Sequence, residues 1–166
     1  MSQDQHKADA PRAVRAAVLT VSDTRTEATD TSGRAIVELL QGEGHTVVAR
    51  AIVRDDPAAV TLFVRNHLTG DAQVIVTTGG TGITSRDSTF EAIDALLEKR
   101  LDGFGELFRL LSYHDIGPAA MMSRACAGLA AGRVVVALPG SEGAVRLAMT
   151  KLLLPELTHL VQQASK

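Results

Sequence analysis

Four short polar segments carry most of the side chains in this sequence that could do chemistry: Ser22-Asp23, Asp55-Asp56, Thr78-Gly79-Gly80-Thr81-Gly82 and Pro139-Gly140-Ser141. Each follows an apolar run that reads as a β-strand. In open α/β sheets ligands bind beyond the carboxyl ends of the strands, so the four endings could build one anion-and-metal pocket from carboxylates, hydroxyls and unobstructed backbone N–H groups. The glycine segment is not a P-loop, because no Gly-Lys-Ser/Thr follows. Nor is it a G-x-G-x-x-G fingerprint, because its glycines stand at 79, 80 and 82. Without Cβ atoms its backbone can still approach phosphate oxygens and adopt the positive-φ conformations that aim successive N–H groups at an anion. A plain tight connection is the alternative that the residues alone leave open.

The acids divide by what else they have to do. Asp56 precedes Pro57 and suits the N-cap of a helix that starts with proline, which leaves Asp55 as the spare carboxylate of that loop. Ser88 and Glu91 have the spacing of a capping box, so Asp87, just outside it, is not needed to start the helix. Taken singly, each loop aspartate also reads as a surface or capping residue, since exposure is what Asp ordinarily does. The histidines, His6, His45, His67, His114 and His159, have no H-x-x-x-H or H-E-x-x-H spacing and argue against a zinc cage. Ser141 lies in PGSEG rather than G-x-S-x-G, which suits a helix start better than a hydrolase nucleophile.

The elements that must position these residues alternate along the chain, strand then helix, as in βαβ units with a mostly parallel sheet. Ala16–Val21, Val47–Val53, Ala72–Thr78 and Arg133–Leu138 are the strand runs. Helical spacing follows Asp30-Thr31-Ser32 as far as Gly42, follows Pro57 through Leu68, begins again near Thr89, and runs from Ser141 through Leu160 with Pro155 starting a new turn or a kink. Gly103 and Gly105 are expected to break the chain ahead of a short helix over Phe104–Ser112, and residues 118–132 give no assignment.

At 166 residues, 45% apolar and 22% charged, the chain fits one globular domain over 13–166 behind a disordered tail over 1–12. A net charge of −2, with 17 Lys and Arg scattered among 19 acids, argues against nucleic acid as a partner. No apolar stretch reads as a membrane span, the first twelve residues hold no secretion signal, and a lone Cys126 excludes an internal disulfide; a cytoplasmic location is expected.

The segments LTVSDTR (19–25), DTSGRAI (30–36), TTGGTG (77–82), GFGELFR (103–109), SRACAG (123–128) and LPGS (138–141), in this order, resemble the MoaB/Mog family of molybdopterin adenylyltransferases, most closely its bacterial MoaB branch. The likeness covers residues 14–160. It implies a three-layer α/β/α sandwich with a mixed, mostly parallel five-stranded sheet, assembled as a trimer or hexamer. It also implies a role in molybdenum cofactor biosynthesis beside other proteins of that pathway, in which adenylate passes from Mg-ATP to molybdopterin and pyrophosphate is released. Family position assigns the magnesium to Asp87, with Asp55 as the second acid, and both to catalysis. Substrate and nucleotide fall to Ser22, Asp23, Thr78, Gly79, Gly80, Thr81, Gly82, Ser123, Pro139, Gly140 and Ser141. Two departures stand out: Arg54 replaces the proline that often precedes the second-loop acid, and the family's D-V-T-P-E is Asp87-Ser88-Thr89-Phe90-Glu91 here. Against the enzyme stands a binding protein that sequesters or delivers molybdopterin without catalysis.

Overall fold

The computed structural model describes residues 2–8 and 10–166. Its sheet has the strand order β2-β1-β3-β6-β5-β4, with β1 at Arg15–Val21, β2 at Thr46–Val53, β3 at Val74–Thr78, β4 at Lys99–Arg100, β5 at Cys126–Ala130 and β6 at Arg133–Leu138. Neighbours among β2, β1, β3 and β6 run parallel, while β5 is antiparallel to both β6 and β4. The mixed sheet therefore has six strands where five are expected, the extra one being the two-residue β4.

Period-two alternation puts alternate residues of each central strand into two cores. Ala16 and Val18, Val74 and Val76, and Val134, Val136 and Leu138 face one layer of helices, made by α2 (Thr31–Gly42), α5 (Asp102–Ile116), α6 (Glu142–Ala148) and α7 (Leu154–Ala164). Ala17, Leu19, Val21, Ile75, Val135 and Ala137 face α3 (Pro57–Leu68) and α4 (Thr89–Asp94) on the other side. Because both faces are covered, the strands are continuous apolar runs, as parallel strands in a three-layer α/β/α arrangement must be.

Three expectations need correction, and the unassigned stretch acquires a structure. Gly103 and Gly105 lie inside α5 rather than breaking the chain; Gly105 is buried, and a methyl group there would stand 3.0 Å from the Ala125 carbonyl oxygen, so close packing decides over weak helix propensity. The unassigned stretch holds a 3₁₀ segment over Gly117–Met122 and β5, joined to β6 by a two-residue turn in which Ala131 and Gly132 both have positive φ. Ser88 begins α4 but gives it no side-chain cap. At the N-terminus, Gln3–Ala8 forms a short helix, α1, whose Lys7 pairs with Glu156 of α7, where a disordered tail is expected over 1–12; Met1 and Asp9 lie outside the described residues. Pro155 sits at the start of α7 after a π-helical stretch over Met149–Leu153. A proline has no N–H to offer the preceding turn and its ring crowds the carbonyl of residue 151, which widens the helix there.

The register fixes where the site must be. Val21 pairs with Val53, Thr20 with Thr78, and Thr78 with Leu138, so β1, β2, β3 and β6 end at one rim. The chain leaves β1 for β2 on one side and then β3 on the other, which makes the β1/β3 gap a topological switch point, where connecting segments part and leave a crevice. Gly79 closes that gap: its φ is +98°, its N–H donates to the Leu138 carbonyl at 3.0 Å, and a methyl group on it would lie 2.1 Å from the Val21 carbonyl oxygen. Gly80, at φ +70°, would drive a methyl group to 2.1 Å from Thr89 Oγ1.

Two stability predictions follow from these contacts. Gly79→Ala and Gly80→Ala each lower the unfolding free energy by about 1–3 kcal/mol in urea denaturation, whereas Gly143→Ala, exposed in the first turn of α6 with nothing within 4 Å, raises it by at most ~1 kcal/mol. His45 is 7% exposed and its Nδ1 accepts the Val14 N–H at 3.2 Å, an interaction that only an unprotonated Nδ1 can make. Burial lowers its pKa, outweighing the opposing pull of Glu43. The stability it contributes is therefore complete above the ordinary histidine value of about 6.5 and is lost as pH falls below it. The thermal midpoint should drop between pH 7 and 5, and by less in His45→Asn.

Candidate functional site

The crevice at the switch point is a cavity of about 350 Å³ lined by Thr20, Val21 and Ser22 from the end of β1, Thr78, Gly79 and Gly80 from β3, Gly140 and Ser141 after β6, and Arg25. Its walls are fixed by hydrogen bonds between those loops. Thr78 Oγ1 donates to the Pro139 carbonyl at 2.8 Å, and Ser32 Oγ donates to the Gly140 carbonyl at 2.6 Å. Ser22 Oγ accepts the N–H groups of Thr24 and Arg25, turning the β1 loop back on itself. Arg25 Nη1 donates to Ser32 Oγ at 2.8 Å. Beneath them Asp30 is fully buried and caps α2 through the Gly33 N–H. Burial pushes its carboxyl up, but hydrogen bonds from Thr20, the Gly33 N–H and Arg50 outweigh that and hold it below the usual carboxylate range.

Asp55 and Asp87 flank the glycine turn. A methyl group on Gly80 would lie 2.9 Å from Asp55 Oδ2, and one on Gly82 would lie 2.6 Å from Asp87 Oδ2. Each carboxylate is half committed. Asp55 Oδ1 accepts Ser88 Oγ–H at 2.7 Å and Ser88 N–H at 3.3 Å, while its Oδ2 takes no hydrogen bond from the described residues. Asp87 Oδ2 accepts Thr84 N–H at 3.0 Å and Thr84 Oγ1–H at 2.7 Å, and its Oδ1 is left over in the same way. Ser88 thus serves Asp55 instead of the helix, which is why the capping box fails.

The turn between the two acids presents backbone donors. The amides of Gly80, Thr81, Gly82 and Ile83 donate to no acceptor among the described residues, although Thr81 is buried. Two carboxylates beside a row of unpaired N–H groups would repel a phosphate unless a cation stood between them. Hard oxygen donors of this kind suit Mg²⁺, which is ordinarily held by one or two carboxylates and completed by water and substrate phosphates. No cluster of three His, Cys, Asp or Glu that could hold a metal by itself occurs among the described residues.

The remaining expected residues fall into place around this centre or beside it. Asp23 is exposed and takes a two-pronged bond from Arg86, with Nε at 2.9 Å and Nη2 at 3.2 Å, while its Oδ1 also accepts the Asp55 N–H at 3.1 Å. The Arg86 hydrogen bonds hold its carboxyl below the usual range. Ser141 is turned toward α6, accepting the Ala144 N–H. Ser123 does not line the cavity; it precedes Arg124, whose guanidinium reaches the glycine turn. Arg25, Ser88 and Arg124 are functional-site neighbours that spacing alone does not single out, although Arg25 and Arg124 lie within the LTVSDTR and SRACAG segments. A larger cavity, about 650 Å³, lies away from this rim among Leu101, Phe104, Leu107, Leu152 and Leu160. Its walls are mostly apolar, with Arg100, Asp102, Lys151 and Glu156 among them, and it holds none of the loop carboxylates.

A family model described as a probable molybdopterin binding domain matches residues 17–159. Molybdenum cofactor biosynthesis protein B of Bacillus anthracis is 53% identical over 162 residues, covering 96% of each chain. A crystal structure of a molybdenum cofactor biosynthesis protein B superposes with a TM-score of 0.91 at 51% identity, over 94% of this chain and 98% of that one. The tungsten cofactor synthesizing protein MoaB from Pyrococcus furiosus follows at a TM-score of 0.86 and 39% identity, over 95% and 100%. With the match running through both core layers and every loop of the β1/β3 crevice, the chain belongs to the molybdenum cofactor biosynthesis family that carries this molybdopterin-binding domain.

Proposed function

We propose that this protein acts in molybdenum cofactor biosynthesis as an adenylyltransferase, joining the AMP moiety of Mg-ATP to the phosphate of molybdopterin with release of pyrophosphate. The observation that carries the reading is the pair of half-committed carboxylates, Asp55 and Asp87, on either side of a turn whose amides are unpaired. Such a transfer must bring two anions together and neutralise the departing pyrophosphate. Asp55 Oδ2 and Asp87 Oδ1 are the oxygens that would hold magnesium. When bound, the ion supplies positive charge to the phosphate oxygens as charge shifts to the leaving group. The amides of the 80–83 turn bind phosphate, Ser88 keeps Asp55 in its rotamer, and the Gly140-Ser141 corner with Ser22 and Arg25 closes the second half of the crevice around the other substrate. Residues 13–166 serve as one molybdopterin-binding domain that hands its product to other proteins of the pathway.

The reading is tested by incubating purified protein with molybdopterin, ATP and Mg²⁺ and measuring pyrophosphate and adenylylated pterin. Asp87→Asn and Asp55→Asn should each lower turnover at least ~10²-fold, and a chelator should abolish it. Unchanged turnover in Asp87→Asn overturns the proposal; tight pterin binding by the native chain with no pyrophosphate release points to a carrier instead.

A homotrimer or homohexamer belongs to the same reading. It is supported by a row of large apolar side chains left exposed on α5 and the following 3₁₀ segment, Leu107, Leu110, Tyr113, Ile116, Met121 and Met122. Sedimentation equilibrium should give the mass of three or six chains, and Leu110→Asp should lower it. A monomer at micromolar concentration overturns the assembly.

A further inference from the structure

Arg124 stands where the segment before β5 passes the glycine turn, and its side chain makes more fixed contacts than any other near the site. Nε donates to the carbonyl oxygens of Thr81 and Gly82, both at 3.1 Å, and Nη2 donates to the Gly82 carbonyl as well. Nη1 pairs with Glu91 on α4, holding that carboxyl below its usual range, and the guanidinium lies over the Phe90 ring with Cζ 5.0 Å from its centre. The planar five-donor fork of arginine can make all these contacts at once; a lysine ammonium on a flexible stem cannot reproduce that shape.

What these bonds do follows from peptide geometry. No peptide bond among the described residues is cis, and in a trans peptide the C=O and the N–H of the next residue point in opposite directions. A guanidinium that draws in the Thr81 and Gly82 carbonyls therefore turns the N–H groups of Gly82 and Ile83 away from itself. One peptide earlier, the Gly80 carbonyl accepts the Thr89 N–H at 3.0 Å, which turns the Thr81 N–H away from α4. Three successive carbonyls are tied to protein donors, and the three amides behind them, at 81, 82 and 83, have no acceptor among the described residues. A run of backbone N–H groups held to one side is an anion receptor of the nest type.

We propose that Arg124 is a positioning residue that orients the peptides of the 80–83 turn and so creates its phosphate-binding donors without touching the phosphate itself. The proposal rests on the nucleotide reading above for the ligand, but its receptor is a polyphosphate group in general, and inorganic pyrophosphate reports on it independently. Glu91 supplies the contrast: removing its carboxylate takes away an ion pair of Arg124 and leaves every carbonyl bond in place.

The test is a titration of ¹⁵N-labelled full-length protein with Mg-ATP and, separately, with pyrophosphate at the same excess of Mg²⁺, following the amide signals of Thr81, Gly82 and Ile83. In the native chain all three should move saturably with pyrophosphate. Arg124→Lys should raise the dissociation constant at least ~10-fold, and Glu91→Gln should leave it within about twofold even where it lowers the thermal midpoint as much as Arg124→Lys does. Arg124→Met should match Arg124→Lys in binding; if it does not fold, the lysine variant alone decides. Unchanged affinity in Arg124→Lys, or an equal loss in Glu91→Gln, overturns the positioning role and leaves a loop staple. A native chain whose three amides respond to neither probe overturns it also. Binding of pyrophosphate without Mg-ATP overturns the nucleotide reading and leaves Arg124 to be judged on the pyrophosphate arm.

Discussion

Parallel strands paired in register must end together, and here that simple constraint sets everything that follows. Once Thr20, Thr78 and Leu138 lie side by side on β1, β3 and β6, the loops that leave those strands share one rim, and at the crevice between β1 and β3 consecutive connections diverge. The gap can be narrow only because position 79 carries no side chain: a single methyl group there would overlap the Val21 carbonyl oxygen. A packed, largely apolar sheet interior thus delivers a polar corner at one edge, with buried Asp30 bracing α2 beneath it.

The electrostatics of that corner are arranged by commitment rather than by burial. Asp23, Asp55 and Asp87 lie in neighbouring loops, and mutual repulsion is relieved because each has a donor of its own: Arg86 for Asp23, Ser88 for Asp55, Thr84 for Asp87. These bonds use one oxygen each of Asp55 and Asp87 and set the direction of the other. The glycine turn between them is treated the opposite way, its carbonyls occupied by Arg124 and Thr89 and its amides left over. Free carboxylate oxygens, which suit a cation, and free N–H groups, which suit an anion, thus stand side by side at one edge of the crevice.

The departures from the family pattern acquire physical meaning in this setting. Where the D-V-T-P-E pattern has valine, this chain has Ser88, and its hydroxyl holds Asp55. Where that pattern has proline, Phe90 offers its ring to the Arg124 guanidinium. Both replacements strengthen ties between α4 and the loops it faces, so the altered segment keeps the same two acids beside the same turn.

Much of this was readable along the chain. Apolar runs with β-branched residues marked all four parallel strands, Asp56-Pro57 marked the start of α3, and the TTGGTG segment marked the turn that the two acids flank, because strand periodicity and turn chemistry are local properties of a few residues. The glycines of α5, the hairpin at Ala131-Gly132 and the true partner of Ser88 were not readable, since each depends on an atom distant in sequence: the Ala125 carbonyl for Gly105, the β6 ladder for the hairpin, Asp55 for Ser88. The sequence by itself determined the fold class and the family. Only the tertiary structure decided which oxygen of each acid is free and which amides have no partner, because hydrogen bonds between loops 33 and 43 residues apart are settled by three-dimensional proximity and leave no periodic trace in the chain.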